Sequence, residues 1–264
     1  MKNTGLKQLL TATGLAVTVA MGAAHAQDLP RLEKKERYKV GFSQMESNNP
    51  WRIAETKSFV DTAESCNWDL IATDAAGSAA KQVADVDSMI AQGIDILFLP
   101  PREEKPLIPA VMKAKAAGIP TFLVDRSVDP AVAKAGRDYV AFLGSDFIDQ
   151  GRRVAEWTLE NFKGDKGVIV ELEGTTGSSP ANDRRKGFDD VMAEHENMTI
   201  VASQSGDFAR DLGRQVMETL LQAHPDVNIV YAHNDEMAIG AIQALTLAGR
   251  KPGEDVLVVS IDGT

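Results

Sequence analysis

Apolar runs of four to six residues alternate along most of this chain with amphipathic stretches of helical length. Tyr38–Phe42 reads as a strand. Asn49-Pro50 then supplies a cap and a first-turn proline for a helix from Trp51 to about Asn67. Asp69–Thr73 is a second strand, and Ala79–Gln92 a second helix with Val83, Val86, Met89 and Ile90 on one face. Ile94–Leu99, Pro106–Ala117 and Pro120–Val124 repeat the unit, with Gly93 and Gly118 where helices must stop. After the loop Ser127–Asp138 comes a short strand, Tyr139–Leu143, and Gly144-Ser145-Asp146 then forms a crossover and cap for a helix to about Lys163. The rhythm restarts with strands at Gly167–Leu172, Thr199–Ser203, Asn228–Ala232 and Val256–Ile261. Helices at Ala181–Glu194, Arg210–Ala223 and Glu236–Ala248 separate them. Such alternation predicts an α/β protein with parallel sheets covered by helices, in two successive doubly wound lobes.

Nearly every apolar run stops at a charged or amide residue. Ser43-Gln44 close the first and Asp74 the second, while Asp125-Arg126 follow Thr121–Val124. Asn234-Asp235 follow Ile229–Ala232, and Asp262 follows Val258–Ile261. In an open parallel sheet all those carboxyl ends lie on one rim, where such folds bind ligands. The pattern predicts one site for a polyhydroxylated ligand, assembled from two similar lobes.

Residues 1–26 stand apart from the fold. Lys2 and Lys7 form a positive start, Leu9 to Met21 carries no charge, and Ala24-His25-Ala26 puts small residues where a signal peptidase reads them. The apolar stretch is short of the roughly 20 residues a membrane span needs. The expectation is a cleaved leader and an exported, soluble chain from Gln27, with no direct membrane insertion afterwards. Residues 27–37 form a charged arm, 38–144 the first lobe and 145–264 the second. The chain stops at Asp262-Gly263-Thr264, directly after a strand. A complete βαβ unit needs roughly 30 residues more, so the C-terminal part of the second lobe is expected to be missing and its edge strand exposed.

Charge narrows the partners. The full chain carries −10, and removing Lys2 and Lys7 leaves −12, which speaks against nucleic acid or an anionic membrane surface. The single cysteine, Cys66, excludes an internal disulfide.

The candidate chemistry sits at the strand ends. Trp51-Arg52 pair an indole, suited to the C–H face of a sugar ring, with a forked donor; the bland reading makes Trp51 a buried helix residue. Asp125-Arg126 offer a carboxylate for vicinal hydroxyls braced by its neighbouring arginine, or else a turn aspartate and a solvated arginine. In Asn182-Asp183-Arg184 the first two read equally as caps, and Arg184 is the second-lobe arginine. Phe208 reads as an aromatic wall or as core, and Asn234, Asp235 and Asp262 as ligands or caps. Gly174–Ser179 lacks the ending of a phosphate loop, and no Gly-x-Gly-x-x-Gly follows a strand, so nucleotide binding is not expected. His195, His224 and His233 are too scattered for a metal set, and no Gly-x-Ser-x-Gly elbow occurs. Strand-end aspartates leave a glycosidase pair open on distance alone, but arginine neighbours are expected to lower their pKa values against an acid role.

Several of these stretches together resemble one family. They are Val40–Gln44, Trp51-Arg52-x-Ala54-Glu55, Phe122–Ser127, Asp183–Phe188, Ser203–Phe208, Tyr231–Asp235 and Ser260–Gly263. The chain resembles the periplasmic sugar-binding proteins of ABC transporters, of the type I, ribose-binding-like class, and within it the galactofuranose-binding kind. That resemblance implies two Rossmann-like lobes on a hinge, closing over one monosaccharide and docking on a membrane permease. It implies a periplasmic monomer without enzymatic activity, cofactor or metal. It also implies sugar ligands at Trp51, Arg52, Asp125, Arg126, Arg184, Asn234 and Asp262, with Gln44, Phe208 and Asp235 added. Asp74-Ala75-Ala76-Gly77 is less polar than the family's corresponding loop, which leaves open aldohexoses in either ring form and pentoses. The alternatives are a sugar-sensing input to a chemoreceptor or sensor kinase, and a secreted carbohydrate enzyme.

Overall fold

A computed structural model describes residues 29–263; the expected leader lies outside the described residues. The first sheet takes the order β2-β1-β3-β4-β5, from β1 (Lys39–Gln44), β2 (Asp69–Asp74), β3 (Ile96–Leu99), β4 (Thr121–Val124) and β5 (Ala141–Leu143). The second takes the order β7-β6-β8-β9, from β6 (Gly167–Glu173), β7 (Met198–Ser205), β8 (Ile229–Ala232) and β9 (Leu257–Val259). All pairings are parallel. In both sheets the chain leaves its first strand to one side and returns on the other, which opens a crevice at the carboxyl ends. The fold is that of an α/β protein with two doubly wound parallel sheets.

Helices α1 (Pro50–Ser65), α2 (Ala79–Ala91) and α3 (Ile108–Ala116) belong to the first unit. Helices α4 (Phe147–Asn161), α5 (Ser179–Met192), α6 (Arg210–Ala223) and α7 (Asp235–Leu247) follow in the second. Among the described residues no helix is long and apolar enough to cross a membrane. Several starts obey local chemistry. The Asn49 side chain accepts from the Arg52 N–H at 3.0 Å, Asp146 accepts from Asp149 N–H at 2.9 Å, and Asn234 from Met237 N–H at 3.1 Å. Helix α5 corrects the sequence reading: its cap is Ser178, so Asn182 and Asp183 lie inside the helix. Ser43 and Gln44 are themselves strand residues, in register with Thr73 and Asp74 of β2.

Strand alternation decides the core. In β6 and β8, Val170, Leu172, Val230 and Ala232 pack toward α6 and α7. Ile169, Ile229 and Tyr231 face Phe188 and Ala155 of α5 and α4. Phe42, Phe98 and Phe122 stand in register across β1, β3 and β4, with Phe59 of α1 stacked on Phe42 at 4.1 Å between centroids. Helices α4 and α5 approach closely because each offers a glycine. A Cβ on Gly151 would sit 2.1 Å from the Arg184 carbonyl, and one on Gly187 2.1 Å from that of Ile148. That approach sets Gln150 beside Arg184. The arm before β1 is tied at Lys35, whose ammonium pairs with Asp95, and Cys66 is a free, exposed thiol.

Candidate functional site

The carboxyl ends of the two sheets meet around a cavity of about 540 Å³. Its lining includes Trp51 and Arg52 from α1, Asp125 and Arg126 after β4, Arg184 from α5 and Phe208 before α6. Asn234 and Asp235 at the start of α7, and Asp262 after β9, complete the set of predicted residues found there. Nine of the ten sequence candidates are therefore brought together. Gln44 is the exception.

Gln44 is buried and turned away from the cavity. Its Nε2 donates to Glu55 at 3.0 Å and Thr56 Oγ1 at 3.0 Å, and its Oε1 accepts from the Met45 N–H at 2.9 Å. It braces α1 against β1 because pairing to the end of β1 fixes its side chain on the helix-covered face. Trp51 resolves the other way: it is 59% exposed and lines the cavity, which sets aside the buried-helix reading.

Three buried arginines reach the cavity by different means. Arg52 pairs with Asp125 and, at 2.7 Å, with Glu55. Burial opposes its charge, but the two carboxylates prevail and raise its pKa. Asp125 is thus braced by Arg52, from another element, and not by adjacent Arg126. Its left-handed backbone, φ 58, turns the two neighbours apart. Arg126 donates to the Arg102 carbonyl at 3.0 Å and lies 5.2 Å over the Phe208 ring. Its Nε has no hydrogen-bond partner. Burial and then the nearby Arg52 push its pKa down to about 9. Arg184 donates to the His233 carbonyl at 2.6 Å and to Gln150 at 3.0 Å. Its Nη2 stands 3.6 Å from Asp262, and burial lowers its pKa. These donors form forked, aromatic-backed hydrogen-bonding groups suited to hydroxyl or carboxylate oxygens.

Asp262 departs from the expectation that arginine neighbours lower its pKa. Burial pushes it up to about 6; Arg184 opposes, while Asp235 and Asp125 add to the rise. Asp235 accepts from Ser260 Oγ and, at 2.9 Å, from the Gly263 N–H. Asn234 caps α7 and donates to the Phe208 carbonyl at 3.2 Å. Phe208 adopts φ 57 after Asp207 at φ 52. Its ring fits because residue 174 is glycine: a Cβ there would stand 1.9 Å from Phe208 Cζ. The Gly174 loop thus makes room for an aromatic floor.

Sequence reasoning missed Phe147 and Gln150, which line the cavity from the first turns of α4. Phe147 lies 5.3 Å beneath the Arg184 guanidinium. Their i, i+3 spacing was the available signal. Also missed was the fully buried pair of His233 and Glu171, 2.8 Å apart. His233 Nδ1 accepts from the Gly174 N–H at 3.2 Å, so one side chain steadies the Phe208 platform while its carbonyl holds Arg184.

Known proteins are similar to this chain over most of its length. Residues 40–264 match the periplasmic binding protein domain. The galactofuranose-binding protein of Escherichia coli (strain K12) is 41% identical over 227 residues, 85% of this chain and 70% of its own length. A crystal structure of a galactofuranose-binding protein superposes with a TM-score of 0.81 at 41% identity, covering 86% of this chain and 76% of that one. The periplasmic component of the arabinose ABC transporter from Shewanella sp. ANA-3, bound to α- and β-L-arabinofuranose, gives 0.79 at 38%, covering 85% and 74%. With a domain match spanning both sheets and this degree of identity, the chain belongs to the periplasmic binding protein family.

Proposed function

We propose that this chain is the sugar-binding component of an ABC importer, taking one monosaccharide between two lobes, residues 38–144 and 145–264, that move about a hinge. The observation that carries the reading is the convergence of Arg52, Arg126 and Arg184 with Asp125 and Asp262 around an aromatic-walled cavity of about 540 Å³. That size lies within the roughly 300–1,000 Å³ of small-molecule sites. Carboxylates accept from hydroxyls, guanidinium forks backed by Phe147 and Phe208 donate to them, and exposed Trp51 offers a face to C–H groups. A pentose or hexose fits this chemistry. The furanose forms named for two relatives favour a galactofuranose-like hexose or an arabinose-like pentose. The protein acts in the periplasm as a monomer, delivers the sugar to a membrane permease and performs no reaction.

Calorimetric titration of the chain from Gln27 onward against a monosaccharide panel tests this. The expected result is one-to-one binding of one sugar at micromolar affinity or better, with a matching rise in melting temperature. A cooperative melt that no monosaccharide shifts overturns it.

A further inference from the structure

Loops of the two sheets meet beside the cavity in a polar seam. The Glu104 N–H donates to the Gly177 carbonyl at 2.9 Å, Asn182 Nδ2 to Glu104 at 2.7 Å, and the Ser127 N–H to Ser179 Oγ at 2.9 Å. Within this seam lies one ion pair. Arg102 Nη2 stands 3.3 Å from both carboxylate oxygens of Asp207. Among the described residues it is the single ion pair joining the two sheet units. The cavity pairs stay on one side each: Arg52 with Glu55 and Asp125, Arg184 with Asp262.

Both partners are also held by contacts within their own units. The Arg102 N–H donates to Gln82 at 2.9 Å, its carbonyl accepts from Arg126 at 3.0 Å, and its Nη1 pairs with Glu46 at 2.6 Å. The remaining Nη2 faces the second unit. Asp207 sits in a turn with two successive left-handed residues, φ 52 and 57, and its N–H donates to Ser205 Oγ at 3.2 Å. The next residue of that turn is Phe208, the cavity floor beneath Arg126 and Arg184. One turn therefore carries both the cross-unit charge and a cavity wall. Neither Arg102 nor Asp207 lines the cavity.

We propose that Arg102 and Asp207 form an electrostatic clasp between the lobes that makes affinity for an uncharged sugar depend on ionic strength. The inference rests on the sugar-binding reading above. A ligand that needs the lobes together binds with an apparent Kd divided by the fraction in that state. Salt screens the partly exposed pair, lowering that fraction; the Debye length shrinks from about 10 Å at 0.1 M to about 3 Å at 1 M. The sugar carries no charge of its own, and because Asp125 also faces Asp262 and Arg184 across the units, the clasp's share is the part of the salt response that Asp207 substitutions remove.

The test is sugar affinity by calorimetry at about 0.02 M and about 1 M sodium chloride, for wild type, Asp207→Asn and Asp207→Lys. Asparagine tolerates the left-handed backbone and leaves the Glu46–Arg102 pair intact. Wild-type Kd is expected to rise about threefold to tenfold with salt. Asp207→Asn binds more weakly at low salt with a flattened response, and Asp207→Lys, facing Arg102, binds more tightly as salt rises. Wild-type affinity and wild-type salt response in Asp207→Asn overturn the clasp. If no sugar binds at all, the sugar-binding reading fails, and small-angle scattering of the free protein still decides the clasp. A smaller low-salt radius of gyration for wild type than for Asp207→Asn supports it; equal radii overturn it.

Discussion

On the first-sheet side of the cavity Arg52 is held by two carboxylates, Glu55 and Asp125, which raise its pKa despite burial. On the second-sheet side Arg184 rests on a carbonyl and an amide, with its nearest carboxylate, Asp262, 3.6 Å away. Burial lowers the pKa of that arginine and raises that of Asp262 to about 6. The first wall braces Arg52 within its own unit, down to Gln44 behind Glu55, while Arg126 beside it keeps an Nε with no hydrogen-bond partner. The second leaves donor capacity and a carboxylate that titrates near neutrality. Substitutions in the Arg52–Asp125 pairing should therefore cost fold and affinity together, whereas changes on the second wall should act mainly on binding.

The largest break in that comparison is Arg184→Ala. It should weaken sugar binding at least about 100-fold, on the scale of truncating one partner of a buried charged pair. Retained affinity by calorimetry would reduce Arg184 to a structural link between α5 and β8.

Asp125→Asn comes next. It leaves Arg52 with Glu55 alone, and should lower affinity roughly tenfold or more and unfolding free energy by about 1–3 kcal/mol. Urea unfolding beside calorimetry reads both, and lost affinity with unchanged stability would contradict the braced-wall account.

The pH response sharpens the second wall. Asp262 has its folded pKa raised from 3.8 to about 6. Its contribution to stability is therefore fully present below pH 3.8 and is lost as pH rises through about 6. Binding runs the opposite way, because only the ionised carboxylate accepts from a hydroxyl without surrendering an oxygen to its own proton. Affinity should improve about threefold to tenfold between pH ~5 and ~7.5, and Asp262→Asn should abolish most of that change. An identical pH profile in the variant would remove Asp262 from the titration.

The smallest effect on affinity belongs to Gln44→Ala. Stability should fall by about 1–2 kcal/mol through the unpaired groups it leaves, with Kd held within about threefold. A large affinity loss at unchanged stability would restore Gln44 as a sugar contact.

Much of this was legible in the sequence because strand ends, caps and glycines obey local rules. Helix α6 was read to the residue as Arg210–Ala223, and Asn49, Asp146 and Asn234 cap helices as their side chains allow. Pairings were not legible. Asp125 and Arg126 are chain neighbours, yet the carboxylate goes to an arginine 73 residues away. The Gly174 loop looked like a failed phosphate cradle and instead accommodates a phenylalanine ring.

Sequence pattern alone specifies the set: two parallel α/β units whose strands end in polar residues, all bound for one rim. Hydrophobic periodicity and turn chemistry act over a few residues, so each element carries its own signal. Three-dimensional packing selects which of those residues face the cavity and which carboxylate braces which arginine, and it brings Asp207 across to Arg102. Those choices depend on how closely helices pack and how burial weighs against charge, and both are set by residues far apart along the chain.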